Sequence, residues 1–170
     1  MDLKNIIRNI PDYPIEGVLF RDITTVLKDK DALKYSVDEI IKNLENIEFD
    51  YILGPESRGF IFAMPIAYNM NKGFIPVRKA GKLPAETISQ KYDLEYGSAT
   101  LEIHKDALKK GDKVIIIDDL LATGGTCKAI VELVESIGAE VVSLNFFIEL
   151  EELKGRQLLG DYNISSVVKY

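Results

Sequence analysis

Val114-Ile115-Ile116-Ile117-Asp118-Asp119-Leu120-Leu121-Ala122-Thr123-Gly124-Gly125-Thr126 reads as an apolar strand, two adjacent carboxylates, then a loop of small residues. From Thr126 onward Ala129, Ile130, Leu133, Val134 and Ile137 recur at helical spacing, Gly138 supplies a C-terminal cap, and Val141 to Ile148 reads as a second apolar strand. Strand, crossover helix and strand make a βαβ unit. Such a unit takes its ligand at the carboxyl end of the first strand, where unpaired helix N–H groups and the positive end of the dipole face an anion. Phosphate is therefore the first ligand to consider.

The loop chemistry narrows the ligand further. Ala122, Thr123, Gly124, Gly125 and Thr126 leave the backbone bare, so consecutive amides can turn toward one phosphate while two threonine hydroxyls also donate. Asp118 and Asp119 do not suit a phosphate by charge, but they accept hydrogen bonds from sugar hydroxyls or hold a metal ion through water. A sugar phosphate satisfies both halves of the motif. The loop has no lysine where a Walker loop requires it, and no GxGxxG, so neither an ATPase nor a dinucleotide-dependent dehydrogenase is supported.

Outward from this unit the chain alternates. An amphipathic opening helix is expected from Leu3, Ile6, Ile7 and Ile10, ending at Pro11, and the Pro-rich segment Pro11 to Phe20 reads as a hood. Helices are expected over roughly Ala32 to Asn46 and Phe60 to Asn71, with strands at Tyr51 to Leu53 and Phe74 to Val77. The fold class is α/β: a central, mostly parallel sheet flanked by helices, carrying the N-terminal hood over 1–28. The polar stretch 79–109, with strand-like pieces at Thr87 to Tyr92 and Ser98 to Ile103, reads as a flexible hairpin projecting from the domain, suited to be a lid. A second strand-loop-helix end occurs at Gly54-Pro55-Glu56-Ser57-Arg58-Gly59, which offers amides, a hydroxyl and a guanidinium to another anion. The basic cluster Arg78, Lys79 and Lys82 reads equally as a binding site or as a solvated charge run.

Composition bounds the class without choosing the activity. A chain of 170 residues with a hydrophobic fraction of 46% is expected to be one domain over 1–170. Its formal net charge of -6 argues against general nucleic-acid or anionic-membrane binding. Cys127 is the lone cysteine and reads as a small buried filler, consistent with a reducing, cytoplasmic setting and no internal disulfide. No secretory signal or membrane span is visible, and His104 reads as structural or solvent-facing.

With these residues in view, the strand, paired acids and Thr-Gly-Gly-Thr loop resemble the phosphoribosyl-pyrophosphate motif of the type I phosphoribosyltransferases. Phe20-Arg21-Asp22-Ile23, Glu56-Ser57-Arg58-Gly59-Phe60, Arg78-Lys79-Ala80-Gly81-Lys82-Leu83-Pro84 and Tyr92-Asp93-Leu94-Glu95-Tyr96-Gly97 resemble blocks of the adenine phosphoribosyltransferases, in the same order. The resemblance implies a purine-salvage transfer from phosphoribosyl pyrophosphate to adenine, giving AMP and pyrophosphate with Mg2+ held mainly by substrate. It implies that Asp118, Asp119 and 122–126 bind the ribose and its phosphate, and that Ser57, Arg58, Arg78, Lys79 and Lys82 bind pyrophosphate. The Glu56–Ser57 peptide would be cis. Val18, Phe20, Arg21 and Leu120 would hold adenine, Glu95 would accept its proton, and Tyr92 and Tyr96 would close the lid. Lys79 would reach the neighbouring subunit of a homodimer. Two alternatives stay open at this point: another purine base, hypoxanthine or guanine, and a regulatory domain that binds phosphoribosyl pyrophosphate without turnover.

Overall fold

A computed structural model describes residues 1–94 and 97–170, which fall into two compact units, 1–39 and 40–170. In the first unit the expected opening helix is absent. Asp2 accepts from the Lys4 amide at 3.1 Å and closes a single 3-10 turn, Leu3–Asn5, after which the chain extends into β1 (Arg8–Pro11). The apolar positions Leu3 to Ile10 span only about two helical turns, too short a stretch to sustain an α-helix without packing. Antiparallel pairing with β2 (Leu19–Asp22) satisfies the backbone instead, and an Arg8–Asp22 ion pair at 3.2 Å spans the ribbon. Between the strands Gly17, at φ +86°, donates its amide to the Asp12 carboxylate at 2.8 Å, which closes the turn. Tyr13 meets Phe20 edge to face, with centroids 5.1 Å apart. The short helix α1 (Thr24–Lys28) follows, then α2 (Lys30–Leu44).

The second unit carries the sheet anticipated from the sequence. Its strands are β3 (Tyr51–Pro55), β4 (Gly73–Lys79), β5 (Thr87–Asp93), β6 (Ser98–His104), β7 (Lys113–Leu121), β8 (Glu140–Glu149) and β9 (Ile164–Lys169). They lie in the order β5-β6-β4-β3-β7-β8-β9, with β4-β3-β7-β8-β9 parallel and the β5-β6 hairpin antiparallel. Helix α3 (Arg58–Asn69) crosses from β3 to β4, and α4 (Gly125–Ser136) from β7 to β8. The unbroken apolar run Val114 to Ile117 is fully buried, as a central strand covered on both faces requires. Phe62 of α3 stacks on Phe147 of β8, centroids 4.7 Å apart, and neither is accessible to water.

The excursion 79–109 is joined to the sheet at its base, where Arg78 pairs with Glu102 and Lys79 with Leu101. Leu101 and Ile103 are buried, and Gln90 donates to Glu132 of α4 at 2.9 Å, so the hairpin is laid along the helix of the βαβ unit. The final helix α5 (Gly155–Leu159) and edge strand β9 carry too weak a periodicity to be read in advance. Among the described residues no helix is long and apolar enough to cross a membrane.

Candidate active site

Strand order places the site. β3 and β7 are neighbours, yet the connection from β3 runs out to one side of the sheet and that from β7 to the other; ligands of open α/β sheets bind in the crevice beyond the carboxyl ends of two such strands. Both loops singled out in the sequence leave the sheet here, 56–59 after β3 and 122–126 after β7. Neither helix start uses a side-chain cap: Ser57 before α3 and Gly124 before α4 make no capping hydrogen bond. The first amides of both helices are thus left to serve an external acceptor.

Gly124 stands at φ +87°, the left-handed region that the turn from Thr123 into α4 demands. The loop Ala122 to Thr126, with Arg58, Asp118, Asp119 and Leu120, lines a cavity of about 210 Å³. A second, adjoining cavity is lined by Pro55, Glu56, Ser57 and Lys79 and shares Arg58, Asp118, Asp119 and Thr126 with the first. The two loops therefore frame one polar crevice with the acid pair in its floor.

The acids differ in their partners. Asp119 is buried, 5% exposed, and its Oδ2 lies 3.0 Å from Nε of Arg58. Asp118 accepts the Asp119 amide at 2.8 Å, and a Cβ on Gly59 would come within 3.0 Å of its Oδ1, so the first turn of α3 can approach only as glycine. Loss of hydration, and then the charge of Asp119, push the Asp118 carboxyl well above the ordinary carboxylate range. Burial also raises Asp119, against the pull of Arg58. Two neighbouring carboxylates suit a hydrated divalent cation bridged by water or by substrate oxygens; among the described residues no three His, Cys, Asp or Glu side chains gather into a metal cage. Cys127 is buried and burial pushes its thiol far up, which makes it inert filler.

Glu56 is a site residue to which the sequence assigned no role of its own. Its Oε1 accepts the Lys79 amide at 2.7 Å and Nε of Arg78 at 3.1 Å, tying the end of β4 to the loop after β3. The Lys79 amide, and further the Arg78 guanidinium, hold the Glu56 carboxyl below its usual range despite some burial. Only the pairing of β3 with β4 could have disclosed this contact. The Glu56–Ser57 peptide is cis, as the resemblance implied.

The other expected residues are distributed as follows. Tyr92 brings its hydroxyl within 3.4 Å of Thr126 Oγ1, at the mouth of the loop. Lys79 lines the second cavity, whereas Lys82 is exposed and outside both. Leu120 lines the first cavity. Val18, Phe20 and Arg21 belong to the N-terminal unit, where Arg21 donates to the Asn9 side chain across the ribbon. Glu95 and Tyr96 lie outside the described residues. His104 accepts the Ala85 amide at 3.4 Å on the far end of β6, away from both loops.

Comparison with known proteins bears on this geometry. Residues 24–168 match the model of the phosphoribosyl transferase domain. The adenine phosphoribosyltransferase of Lachnoclostridium phytofermentans is 60% identical over 99% of this chain and 97% of its own length. The chain belongs to the adenine phosphoribosyltransferase family. Among solved structures, the adenine phosphoribosyltransferase of Thermoanaerobacter pseudethanolicus is 54% identical, with a TM-score of 0.97 over 99% of this chain and 98% of that one. The Saccharomyces cerevisiae adenine phosphoribosyltransferase, solved with D-2,5-dideoxy-2,5-imino-altritol 1,6-bisphosphate and adenine, is 39% identical with a TM-score of 0.91, covering 98% and 96% of the two chains. Adenine phosphoribosyltransferase-family likeness thus extends over both loops and the N-terminal unit alike.

Proposed function

We propose that this chain transfers the 5-phosphoribosyl group of phosphoribosyl pyrophosphate to adenine, giving AMP and pyrophosphate in purine salvage. The observation that carries the reading is the pair of uncapped helix starts facing one crevice with Asp118 and Asp119 between them. Two anion seats flanking a diol acceptor match a ribose with phosphate at one end and pyrophosphate at the other. The amides and hydroxyls of 122–126 take the 5-phosphate, and Asp118 and Asp119 accept from the ribose hydroxyls. Ser57, Arg58 and Arg78 serve the pyrophosphate of their own subunit, Lys82 adds positive charge from outside the cavity, and Glu56 orients Arg78 and the Lys79 backbone so that the Lys79 side chain is presented outward. Phe20, with an aromatic face suited to stacking, Val18 and Arg21 are assigned to the adenine base, and Leu120 likewise.

In the reaction the bond from C1′ to the pyrophosphate oxygen breaks and a bond from C1′ to a ring nitrogen of adenine forms, through an oxocarbenium-like state. The ring nitrogen gives up its proton to Glu95. Two carboxylates beneath the sugar stabilise the positive charge that develops there. Tyr92, with Tyr96, covers the site and keeps water from the ribosyl cation. Mg2+, held mainly by the substrate with Asp118 and Asp119 placed to hold its waters, would supply positive charge opposite the pyrophosphate. Lys79 completes the pyrophosphate seat of a second copy in a homodimer. Ile61, Met64 and Tyr68, exposed at helical spacing on α3, form an apolar stripe that a second copy would cover. The acidic balance and lone buried thiol suit a cytoplasmic setting without nucleic-acid or membrane partners.

The reverse reaction tests this. AMP and pyrophosphate incubated with the protein and Mg2+ are expected to release free adenine, and chelation of the metal is expected to stop the release. Binding of AMP or phosphoribosyl pyrophosphate with no adenine released would move the protein to a sensing role.

A further inference from the structure

The phosphate loop is held from behind by a segment to which the mechanism above gives no part. After β8 the chain passes through a 3-10 turn, Glu151–Leu153, and enters α5 at Gly155. Here backbone meets backbone. A Cβ on Gly155 would lie 2.5 Å from the Ala122 carbonyl oxygen and 2.8 Å from Leu121 Cδ1, and a Cβ on Gly124 would lie 3.0 Å from the Gly155 oxygen. The Leu150 amide donates to the Leu121 carbonyl at 3.0 Å, closing the same seam.

Arg156 is what ties α5 to this place. Its Nε and Nη2 donate to the two carboxylate oxygens of Glu149 at 2.5 Å and 2.8 Å, and its Nη1 donates to the Ile164 carbonyl at 3.0 Å. Glu149 is 3% exposed and stands in register with Leu121, the last residue of β7 before the loop. It also accepts from the Ser166 hydroxyl at 2.5 Å, with Lys169 Nζ 4.0 Å away. Burial alone would raise this carboxyl, but Arg156 and then Ser166 hold it below its usual range, so the pair is ionised at neutral pH. A two-point guanidinium–carboxylate pair fixes direction as well as distance, which a lysine cannot reproduce.

We propose that Arg156, through Glu149, is a positioning residue for the sugar-phosphate seat: it holds Gly155 against the backbone of 122–124 and so sets the direction of the loop amides. The proposal rests on the assignment of 122–126 to the 5-phosphate. Because binding geometry is sensitive to displacements of about 1 Å, Arg156→Met is expected to raise KM for phosphoribosyl pyrophosphate about tenfold, leaving KM for adenine and kcat within about twofold. Arg156→Lys, keeping charge without the fork, should fall between. Gly155→Ala should produce the same signature with the ion pair intact, since its Cβ must displace the Ala122 carbonyl. Should Arg156→Met fail to fold, Arg156→Lys and Gly155→Ala carry the test.

The companion measurement is calorimetric titration with ribose 5-phosphate, which needs no turnover. Tighter binding by wild type than by Arg156→Lys and Gly155→Ala supports the inference, even if wild type forms no AMP and the proposed activity falls. Equal binding by all three, or a loss confined to kcat and melting temperature with KM for phosphoribosyl pyrophosphate unmoved, overturns it.

Discussion

Replacing Asp118 by Asn is expected to lower kcat/KM for phosphoribosyl pyrophosphate by about 10²-fold while raising the melting temperature at neutral pH, a combination that a damaged scaffold does not produce. The catalytic loss follows from charge. On the proposed assignment, a charge-assisted hydrogen bond from a ribose hydroxyl to Asp118 would contribute about 1.5–3 kcal/mol, and the carboxylate would also face the cation that develops at C1′. An amide oxygen keeps the geometry, including the acceptor for the Asp119 amide, but supplies neither charge. The stability gain follows from linkage. Burial and the neighbouring Asp119 raise the folded-state pKa of Asp118 above its unfolded value, so the stability associated with its proton is present at low pH and lost as pH rises through the folded pKa. Asparagine stays neutral throughout. The gap in melting temperature between variant and wild type should therefore be open at neutral pH and close toward about pH 4, the ordinary carboxylate range. Initial rates and melting curves at both pH values check this; unchanged kcat/KM, or a lower melting temperature at neutral pH, would contradict it.

Phe62→Ala is expected to be the most damaging single substitution of the core. Phe62 lies on α3 with no accessible surface and stacks on Phe147, itself fully buried in β8. Truncating a buried phenylalanine costs about 3–5 kcal/mol through lost transfer energy and the cavity left behind. In a protein of this size that corresponds to a melting temperature lower by roughly 10 °C. Because α3 also presents Ser57 and Arg58 to the crevice, the surviving folded enzyme should retain its KM for phosphoribosyl pyrophosphate if the helix keeps its seat. Differential scanning calorimetry together with KM at low temperature separates the two effects. A shift of under about 3 °C would mean that the aromatic pair is not where the core stability of α3 resides.

The reach of the sequence is uneven for physical reasons. The βαβ unit was legible because Val114 to Ile117 is apolar without interruption and the spacing of Ala129 to Ile137 keeps one helical face buried, both observed. The opening segment misled because Leu3, Ile6, Ile7 and Ile10 imitate a helical period over too short a span, and pairing with Leu19–Asp22 decided the outcome. Such long-range pairing leaves little local trace. The same holds for Glu56, whose bonds to Arg78 and Lys79 exist only because β3 and β4 are adjacent. The Arg156–Glu149 pair was invisible for another reason: Ile164–Lys169 carries two serines in its centre, so neither β9 nor the carboxylate facing it stood out. The loops themselves were legible as chemistry, since small residues beside paired acids have few uses. Their convergence on one crevice follows from the strand order, which no single motif contains.

In the proposed activity the crevice between β3 and β7 joins adenine to a phosphoribosyl group. The most direct test supplies purified protein with Mg2+, phosphoribosyl pyrophosphate and one base at a time (adenine, hypoxanthine, guanine or uracil) while nucleotide and pyrophosphate are followed together. AMP and pyrophosphate are expected in equal amounts from adenine alone. Nucleotide from hypoxanthine or guanine in place of adenine, or ligand binding with no nucleotide from any base, would contradict it.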